Sequence, residues 1–321
     1  MYSRHRTKTK ISRTLPIVSA HAAHYTVWKR STLMKITFLG SGAAEGIPAI
    51  FCNCEVCKTA RAEKRMHTRC QVLVNEDLLV DFPPDTYYRA LANGVDLSLV
   101  QYALITHSHS DHFYPEDFVM RGLWSSYGLR SPLRVYGSGA VARKIARLGA
   151  GFPAGKREYQ PVAECNGYAV YPQSTEYLTV RPYSETRAGR YTFFALPSEH
   201  IPKEPSYMYA ISDGDGKSFL FLCDTAYPSR EALDFLQKTG FYADVAAYDA
   251  TFGLQKPGYG HMNLEDDRRL KQELLHRGIA KRDTLHVLTH ISHNVAKNLK
   301  DFLSEAEKDF LVARDGLTLE V

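Results

Sequence analysis

The sequence predicts an α/β protein, and the order of its apolar runs is what indicates this class. Strand patterns alternate with helical patterns in the first part of the chain and again in its last third. Between these regions, from Tyr168 to Cys223, strand patterns follow one another directly. No internal repeat, low-complexity tract or interdomain linker interrupts the chain. We therefore predict a single domain over residues 34–321, preceded by residues 1–33 as a basic, disordered leader.

The domain is predicted to begin with the strand KITFLG, directly after Met34. Two apolar runs on either side of Asn75-Glu76-Asp77 then predict a hairpin. The apolar run VQYALI predicts a strand that ends abruptly in the polar residues THSHSDH. The run LRVYGS predicts a further strand, and the spacing of apolar residues in GAVARKIARLGA predicts a helix after it.

The middle of the chain is predicted to be rich in strands. It contains YTFFALPSEH and then the pair SYMYAIS and KSFLFLCD, which the turn-forming residues 213–216 join. The last third returns to alternation. The strand ADVAAYDAT precedes the helix LEDDRRLKQELLHRG, the strand DTLHVLTHIS precedes the helix AKNLKDFLSEAEKDF, and LTLEV closes the chain.

The composition is that of an ordinary globular protein, with 44% hydrophobic and 23% charged residues. No run of eighteen apolar residues is present, so we predict no membrane partner. The chain has six cysteines, three of which are clustered, and this favours a metal site over a disulfide framework. Metal-binding thiols are typical of a reducing compartment, so we predict a cytoplasmic location.

The net charge of +5 comes from the leader rather than from the domain. Residues 1–33 carry seven of the 40 Lys and Arg residues and no Asp or Glu, which leaves 33 basic and 35 acidic residues elsewhere. A targeting segment and a basic arm for nucleic acid are the alternatives for this leader. The slightly acidic domain disfavours a large nucleic acid as substrate.

The segment HSHSDH, from His107 to His112, is the strongest functional signal in the chain. It holds three histidines and one aspartate at the end of an apolar strand. Residues two apart on an extended segment point the same way, so His107 and His109 can bind one metal ion. A turn then brings Asp111 and His112 to a second ion. Imidazole and carboxylate ligands suit zinc, manganese or iron.

Three further candidates stand at the ends of apolar runs downstream. His200 closes YTFFALPSEH, Asp224 closes FLFLCD, and His290 closes LHVLTH. If these strands are neighbours, the three side chains gather at one rim of a sheet. Cys223 adjoins Asp224, but adjacent residues on a strand face opposite ways, so we predict that Cys223 lies in the core.

This order of motifs resembles the metallo-β-lactamase superfamily of dinuclear metallohydrolases. The resemblance runs from Met34 to Val321 and implies a four-layer αββα sandwich. It implies a first metal bound by His107, His109 and His200, a second bound by Asp111, His112 and His290, and Asp224 as the bridge between them. It also implies that Asp81, at the end of LLVDFPP, supports the motif loop. The alternative is a turn-forming aspartate before two prolines.

The details of the sequence favour one branch of the superfamily. Position 109 is His rather than Glu, unlike the di-iron redox branch, and position 224 is Asp rather than Cys, as in the phosphodiesterase and thioesterase branches. The stretch LGSGAAEGIPAIFCNCEVC, followed later by LTHISH, is similar to the phosphodiesterase family that accompanies carbon–phosphorus lyase in phosphonate use. That family hydrolyses cyclic ribose phosphates and other phosphodiesters. The loop of Gly40, Gly42 and Gly46 opens no predicted helix, so we interpret it as a close approach of the backbone to the metals.

Cys52, Cys54 and Cys57 have the C-x-C-x-x-C spacing of a zinc site that lacks one ligand. If His290 binds an active-site metal, then His293, three residues later, is free to complete a Cys₃His site. Such a structural zinc would join an early loop to the last third of the domain. Recruitment of Cys70, or three thiols without a metal, are the alternatives.

His261, in the segment GYGHMNLED, is predicted to face the metals. In the phosphodiesterases that this chain resembles, a histidine in this region helps the leaving group depart, and we assign Asp111 and His261 to catalysis. The alternative is that the segment only caps a helix, with Asn263 as the cap.

Taken together, these features predict hydrolysis of a small phosphodiester, a cyclic or linear nucleotide or a ribose phosphate, by water activated between two metals. The predicted cofactors are two divalent ions in the active site, zinc or manganese, and one structural zinc. A homodimer is left open. The alternatives are ester, thioester or lactone hydrolysis on the same metal pair, or a non-catalytic accessory protein of a biosynthetic pathway.

Overall fold

The fold consists of sixteen strands and six α-helices in the part of the chain that the computed structural model describes, residues 33–121, 125–129, 131–148, 163–165, 168–170 and 175–321. The strands are β1 (Lys35–Gly40), β2 (Gln71–Val74), β3 (Leu78–Val80), β4 (Tyr102–Leu104), β5 (Leu133–Gly137), β6 (Ala163–Cys165), β7 (Tyr168–Val170), β8 (Thr175–Thr179), β9 (Glu185–Ala188), β10 (Tyr191–Pro197), β11 (Tyr207–Ser212), β12 (Ser218–Leu222), β13 (Ala243–Asp249), β14 (Ala280–Thr289), β15 (Leu311–Val312) and β16 (Leu317–Glu320). The helices are α1 (Glu55–Glu63), α2 (Thr86–Ala92), α3 (Gly139–Ala146), α4 (Arg230–Thr239), α5 (Leu264–His276) and α6 (Leu299–Ala306). Two 3₁₀ segments cover Leu97–Leu99 and Pro115–Arg121.

The strands form two mixed seven-stranded sheets. The first has the order β16-β1-β2-β3-β4-β5-β8, and it is antiparallel from β16 to β3 and parallel from β3 to β8. The second has the order β15-β14-β13-β12-β11-β10-β9, parallel from β15 to β12 and antiparallel beyond it. The predicted hairpin is β2–β3, and the predicted pair in the middle of the chain is β11–β12. The strands β6 and β7 form a separate antiparallel pair.

The two sheets face each other across an apolar core, and helices cover their outer faces. In β12, Phe219 and Phe221 point into the core between the sheets, whereas Leu220 and Leu222 point outward to the layer that contains α4, α5 and α6. Such alternation is expected of a strand that is buried on both faces. On the outer face of the first sheet, Val141 and Ile145 of α3 pack against side chains of β3, β4 and β5. The predicted αββα sandwich is confirmed.

The helix predictions need correction. The last helix begins at Leu299 rather than at Ala296, because the side chain of Asn298 accepts a hydrogen bond from the Asp301 amide and caps the helix there. Helices α1 and α2 were not predicted, and neither was α4. Helix α4 has a capping Ser229 and a left-handed Gly240 at its end, and these are ordinary start and stop signals.

The Gly-rich loop after β1 lies against the backbone of residues 67–69. A Cβ atom on Gly40 would lie 2.0 Å from the carbonyl oxygen of Arg69, and one on Gly42 would lie 2.5 Å from that of His67. Our interpretation that these glycines let the chain pass close to the metals stays a prediction. They allow the loop to lie against residues 67–69.

Residues 32–321 form one compact unit. The predicted leader lies outside the described residues, apart from Leu33, and its disorder stays a prediction. Within the described ranges, no helix combines the length and the apolar character needed to cross a membrane.

Candidate metal centre

The predicted ligands lie where strands of both sheets end at a common edge. His107 follows β4, His200 follows β10, Asp224 follows β12 and His290 follows β14. Asp81, Asp224 and His290 have positive φ angles of 66°, 56° and 56°. This left-handed conformation is uncommon for residues other than glycine, and it is often found at functional sites.

Asp224 is the centre of the cluster. Its Oδ2 lies 3.2 Å from Nε2 of His107, 2.9 Å from Nε2 of His112 and 3.4 Å from Nε2 of His200. Its Oδ1 lies 3.6 Å from Nε2 of His290. The carboxylate is 3% exposed, so it is almost fully withdrawn from solvent. Burial acts to raise the pKa of Asp224, but the charges of His290 and His112 outweigh burial and hold the pKa well below its usual range.

The structure brings the predicted active-site ligands into two groups that share Asp224. In each group the potential ligand atoms lie within 4.8 Å of one another. The first group contains His107, His109, His200 and Asp224, and the second contains Asp111, His112, Asp224 and His290. That these groups bind metals stays a prediction.

Four of the histidines are held through Nδ1, which leaves Nε2 to face Asp224. Nδ1 of His112 donates to Asp81, and Nδ1 of His200 donates to the carbonyl oxygen of Gly260. Nδ1 of His107 lies 3.0 Å from Oγ1 of Thr106, and Nδ1 of His290 lies 2.8 Å from Oγ1 of Thr251. Metal-binding histidines are typically oriented in this way by a partner on the other ring nitrogen.

Asp81 supports the motif loop, as predicted from its position. Its carboxylate accepts hydrogen bonds from Nδ1 of His112 at 2.7 Å and from both the amide and the hydroxyl of Thr106. Because the Thr106 hydroxyl donates to Asp81, it can accept from Nδ1 of His107. One buried carboxylate thus orients two of the predicted ligands.

The donor set fits divalent metal ions. Nε2 of His107 and Oδ1 of Asp224 are buried and make no hydrogen bond within the described residues. Burial lowers the pKa of His107 well below its usual range, and the neighbouring His112 acts in the same direction, so the ring is held neutral. Buried imidazole and carboxylate atoms of this kind lack a hydrogen-bond donor, and a bound cation would satisfy them.

His261 faces this cluster, and Asp249 is the residue that the sequence analysis missed. Nδ1 of His261 lies 3.0 Å from Oδ2 of Asp249 and 3.2 Å from Oδ1 of Asp224. Burial acts to lower the pKa of His261, but the Asp249 carboxylate outweighs it and raises the pKa to about 9. Asp249 is the last residue of β13, much as Asp224 comes just after β12. The position at the end of an apolar strand, which identified Asp224, would therefore also have identified Asp249. The alternative role for this loop is also present, because the Asn263 side chain caps α5.

The three clustered cysteines meet His293. Sγ of Cys54 and Sγ of Cys57 lie 3.4 Å and 3.6 Å from Nδ1 of His293, and Cys52 belongs to the same group. Burial raises the pKa of the Cys57 thiol to about 11. Cys70 is not in this group: its Sγ lies 3.6 Å from Oγ1 of Thr289. Cys223 is buried in the core between the sheets, as predicted.

The described part of residues 113–129 lines an apolar cavity of about 660 Å³ on the outer face of the first sheet, together with Leu79 and Leu133. None of the predicted metal ligands is among the described residues that line this cavity. Phe113 and Phe118 belong to the buried apolar cluster that adjoins this cavity.

Two facing mixed sheets between helical layers, with histidines and aspartates gathered at one edge, define the class of αββα metal-dependent hydrolases. Residues 78–291, more than half of the chain, match the family described as the beta-lactamase superfamily domain. The chain belongs to this superfamily of metal-dependent hydrolases.

Solved structures share this fold. One described as a new diphosphatase from the PhnP family is 22% identical, with 90% of this chain and 97% of that chain covered and a TM-score of 0.66. The short form of human tRNase Z is 17% identical, with 89% and 98% covered and a TM-score of 0.55.

A curated octanoyltransferase from Porphyromonas gingivalis is 35% identical to this chain over 82 residues. The match spans 25% of this chain and only 16% of that protein.

Proposed function

We propose that the chain hydrolyses small phosphodiesters, such as cyclic or linear nucleotides or ribose phosphates, with two divalent ions in the centre. The observation that carries this proposal is the placement of Asp224 between two groups of ligands, with its carboxylate shared by both. The first ion would be held by His107, His109, His200 and Asp224, and the second by Asp111, His112, Asp224 and His290. Bound ions would polarise the phosphoryl oxygens and activate water as the nucleophile.

The chain's own residues have separate tasks in this reaction. In the described part of the chain, the hydrogen bonds and ion pairs of His261 with Thr251, Asp249 and Asp224 all use Nδ1, which leaves Nε2 for the substrate. We assign to His261 the donation of a proton to the departing alkoxide, a contribution of roughly 10²–10⁴-fold. The Asp111 side chain is 14% exposed, against 3% for Asp224, so it is the carboxylate that water and substrate can reach.

Charge supports a small substrate over a transfer RNA. Outside residues 1–33 the chain has 33 basic and 35 acidic residues, and large nucleic acids are usually bound by a basic face. Within the superfamily we place the chain with the phosphodiesterases that accompany carbon–phosphorus lyase. The support is the shared cysteine stretch and the LTHISH segment, whose two histidines reach the two kinds of candidate metal site.

The first experiment is an assay of the purified full chain, supplied with Mn²⁺ or Zn²⁺, on bis(p-nitrophenyl) phosphate. A thioester, a β-lactam and a diphosphate ester are tested under the same conditions, and His107→Ala is the inactive control. We expect metal-dependent cleavage of the diester and no reaction with the thioester or the lactam. Activity on the thioester or the lactam alone would show that the proposed substrate class is wrong, but it would leave the proposed metal centre in place. Inactivity on every substrate, with metals bound, would favour a non-catalytic accessory role.

A further inference from the structure

Glu204 braces the HSHSDH loop from outside the candidate metal centre. Its Oε1 accepts a hydrogen bond from the Ser108 amide at 2.9 Å, and its Oε2 accepts one from the Ser108 hydroxyl at 2.8 Å. Ser108 lies between His107 and His109, and Glu204 comes four residues after His200. One carboxylate therefore ties the loop that carries two predicted ligands to the loop that carries the third.

Lys144 holds the same loop from a different element. Its Nζ donates hydrogen bonds to the carbonyl oxygens of Ser108 at 2.9 Å and of Phe113 at 2.5 Å. These two carbonyls precede and follow the segment with His109, Asp111 and His112. Lys144 is half-buried on α3, whose neighbouring residue Ile145 packs into the apolar layer under the first sheet. The helix therefore offers a fixed point of attachment.

His109 is the predicted ligand that most needs such support. His107, His112, His200 and His290 each have a hydroxyl, carboxylate or carbonyl partner at Nδ1. In His109 it is Nδ1 that faces the candidate site, 3.4 Å from Nε2 of His200, and among the described residues no hydrogen bond holds the other nitrogen, Nε2, of this exposed ring. The position of this ring is consequently set by the backbone that carries it.

We propose that Glu204 and Lys144 are positioning residues that set the affinity of the His107–His109–His200 group for a divalent ion. The proposal rests on the proposed metal binding of that group. By holding the carbonyl, amide and hydroxyl of Ser108, the two side chains fix the backbone on both sides of it, and with it the separation of the three imidazoles.

The test is a titration of the full chain with Mn²⁺, after removal of labile metal and with zinc retained on the cysteines. Manganese suits the histidine and carboxylate groups rather than thiolates, so the titration reports the candidate centre. We expect Glu204→Ala to weaken the binding of one Mn²⁺ by about 10–100-fold. Glu204→Gln is expected to recover part of this loss, because its amide oxygen can still accept from the Ser108 amide. Lys203→Ala, at an exposed neighbour in the same loop, is the control and should bind as the wild type does.

The variant Lys144→Met distinguishes the positioning role of Lys144 from the effect of its positive charge on Mn²⁺ binding. Removal of a positive charge near a cation site would by itself tighten Mn²⁺ binding. Loss of the brace predicts weaker binding, about 10-fold or more. Far-UV circular dichroism and the thermal midpoint of each metal-free variant confirm that it is folded.

The possible outcomes distinguish the two proposals. If the wild type binds Mn²⁺ and the Ala and Met variants bind it equally well, the bracing role is wrong and the proposed function stands. Two results would show that these side chains act through their charge rather than by bracing the loop. They are tighter Mn²⁺ binding in Lys144→Met, or an equal loss of Mn²⁺ affinity in Glu204→Gln and Glu204→Ala. If the folded wild type binds no divalent ion at the centre, both proposals fail.

Discussion

His261 is paired with the buried Asp249, with Nδ1 of His261 3.0 Å from Oδ2 of Asp249. Asp249 ends strand β13, and His261 belongs to the loop that leads into α5. The aspartate is fully buried, and its other oxygen accepts a hydrogen bond from the Thr251 amide at 2.9 Å. The imidazole is thus fixed by a rigid carboxylate, and Nε2 is turned away from that carboxylate.

This pair predicts that the importance of His261 depends on the leaving group. We expect His261→Ala to keep its metals and to lose roughly 10²–10⁴-fold in turnover of a cyclic nucleotide, whose departing alkoxide needs a proton. The loss on bis(p-nitrophenyl) phosphate should be much smaller, since p-nitrophenolate is stable without one. Steady-state kinetics on both substrates, with metal content measured in parallel, check this. Equal activity of variant and wild type on the cyclic nucleotide would remove His261 from the mechanism.

The shared position of Asp224 predicts that its loss affects both ions. We expect Asp224→Ala to bind neither active-site ion tightly, because the carboxylate belongs to both groups of ligands. Metal content after gel filtration is the measurement. Cys223→Ala is the matched control, since its side chain lies in the core and should keep both ions. An Asp224→Ala variant that retains both ions would contradict the bridging role.

The cysteine cluster predicts a contribution to stability that depends on zinc. We expect His293→Ala to lose one zinc, and with it roughly 4 kcal/mol of the free energy of unfolding when free zinc exceeds the Kd a thousandfold. Denaturant unfolding with and without zinc measures this, and His276→Ala on α5 serves as the control histidine. Zinc-independent stability of the wild type, with no zinc found in the purified protein, would leave the three thiols without a metal.

His286 predicts a loss of stability in acid that is independent of the metal centre. Burial lowers the pKa of His286 to about 4, and the charge of Lys271 acts in the same direction. Nδ1 of the ring lies 2.7 Å from Oη of Tyr248. Between pH 6.5, the value for an exposed histidine, and about pH 4, the unfolded chain binds more protons than the native one. Stability must therefore fall as the pH falls through this window.

The variant His286→Gln isolates that effect, because glutamine does not titrate and can still accept from Tyr248. We expect its free energy of unfolding to change less with pH than that of the wild type, by up to about 3 kcal/mol between pH 6.5 and pH 4. Urea unfolding at several pH values is the measurement. Parallel curves for the two proteins would show that His286 makes no such contribution.

His200, Asp224 and His290 could be found from the sequence because each of them closes an apolar run. Such strand ends are local signals, and a sheet brings them together without further information. Asp81, which orients His112, carries a similar signal at the end of LLVDFPP, but other orienting residues do not. Thr251 and Glu204 become informative only when their neighbours in space are known, since each acts across a gap between separate elements.

The fold shows the same division between local and distant information. Strands buried on both faces produce long apolar runs, so the two sheets could be predicted, but their order could not. The start of α6 depends on a hydrogen bond that the Asn298 side chain accepts from the Asp301 amide, which the apolar spacing of the helix does not reveal. The glycines after β1 likewise record contact with residues 67–69, a segment that is distant in the sequence.

The cysteine cluster has a consequence for the order of events during synthesis. Cys54 and His293 are 239 positions apart, yet their side chains meet. The ribosome must add 239 residues after Cys54 before the predicted fourth ligand emerges, so until then a nascent chain can offer zinc only three thiols. A complete site would then form only in chains in which Cys54 and His293 have already come together. Newly made, unfinished protein would hold the metal less tightly.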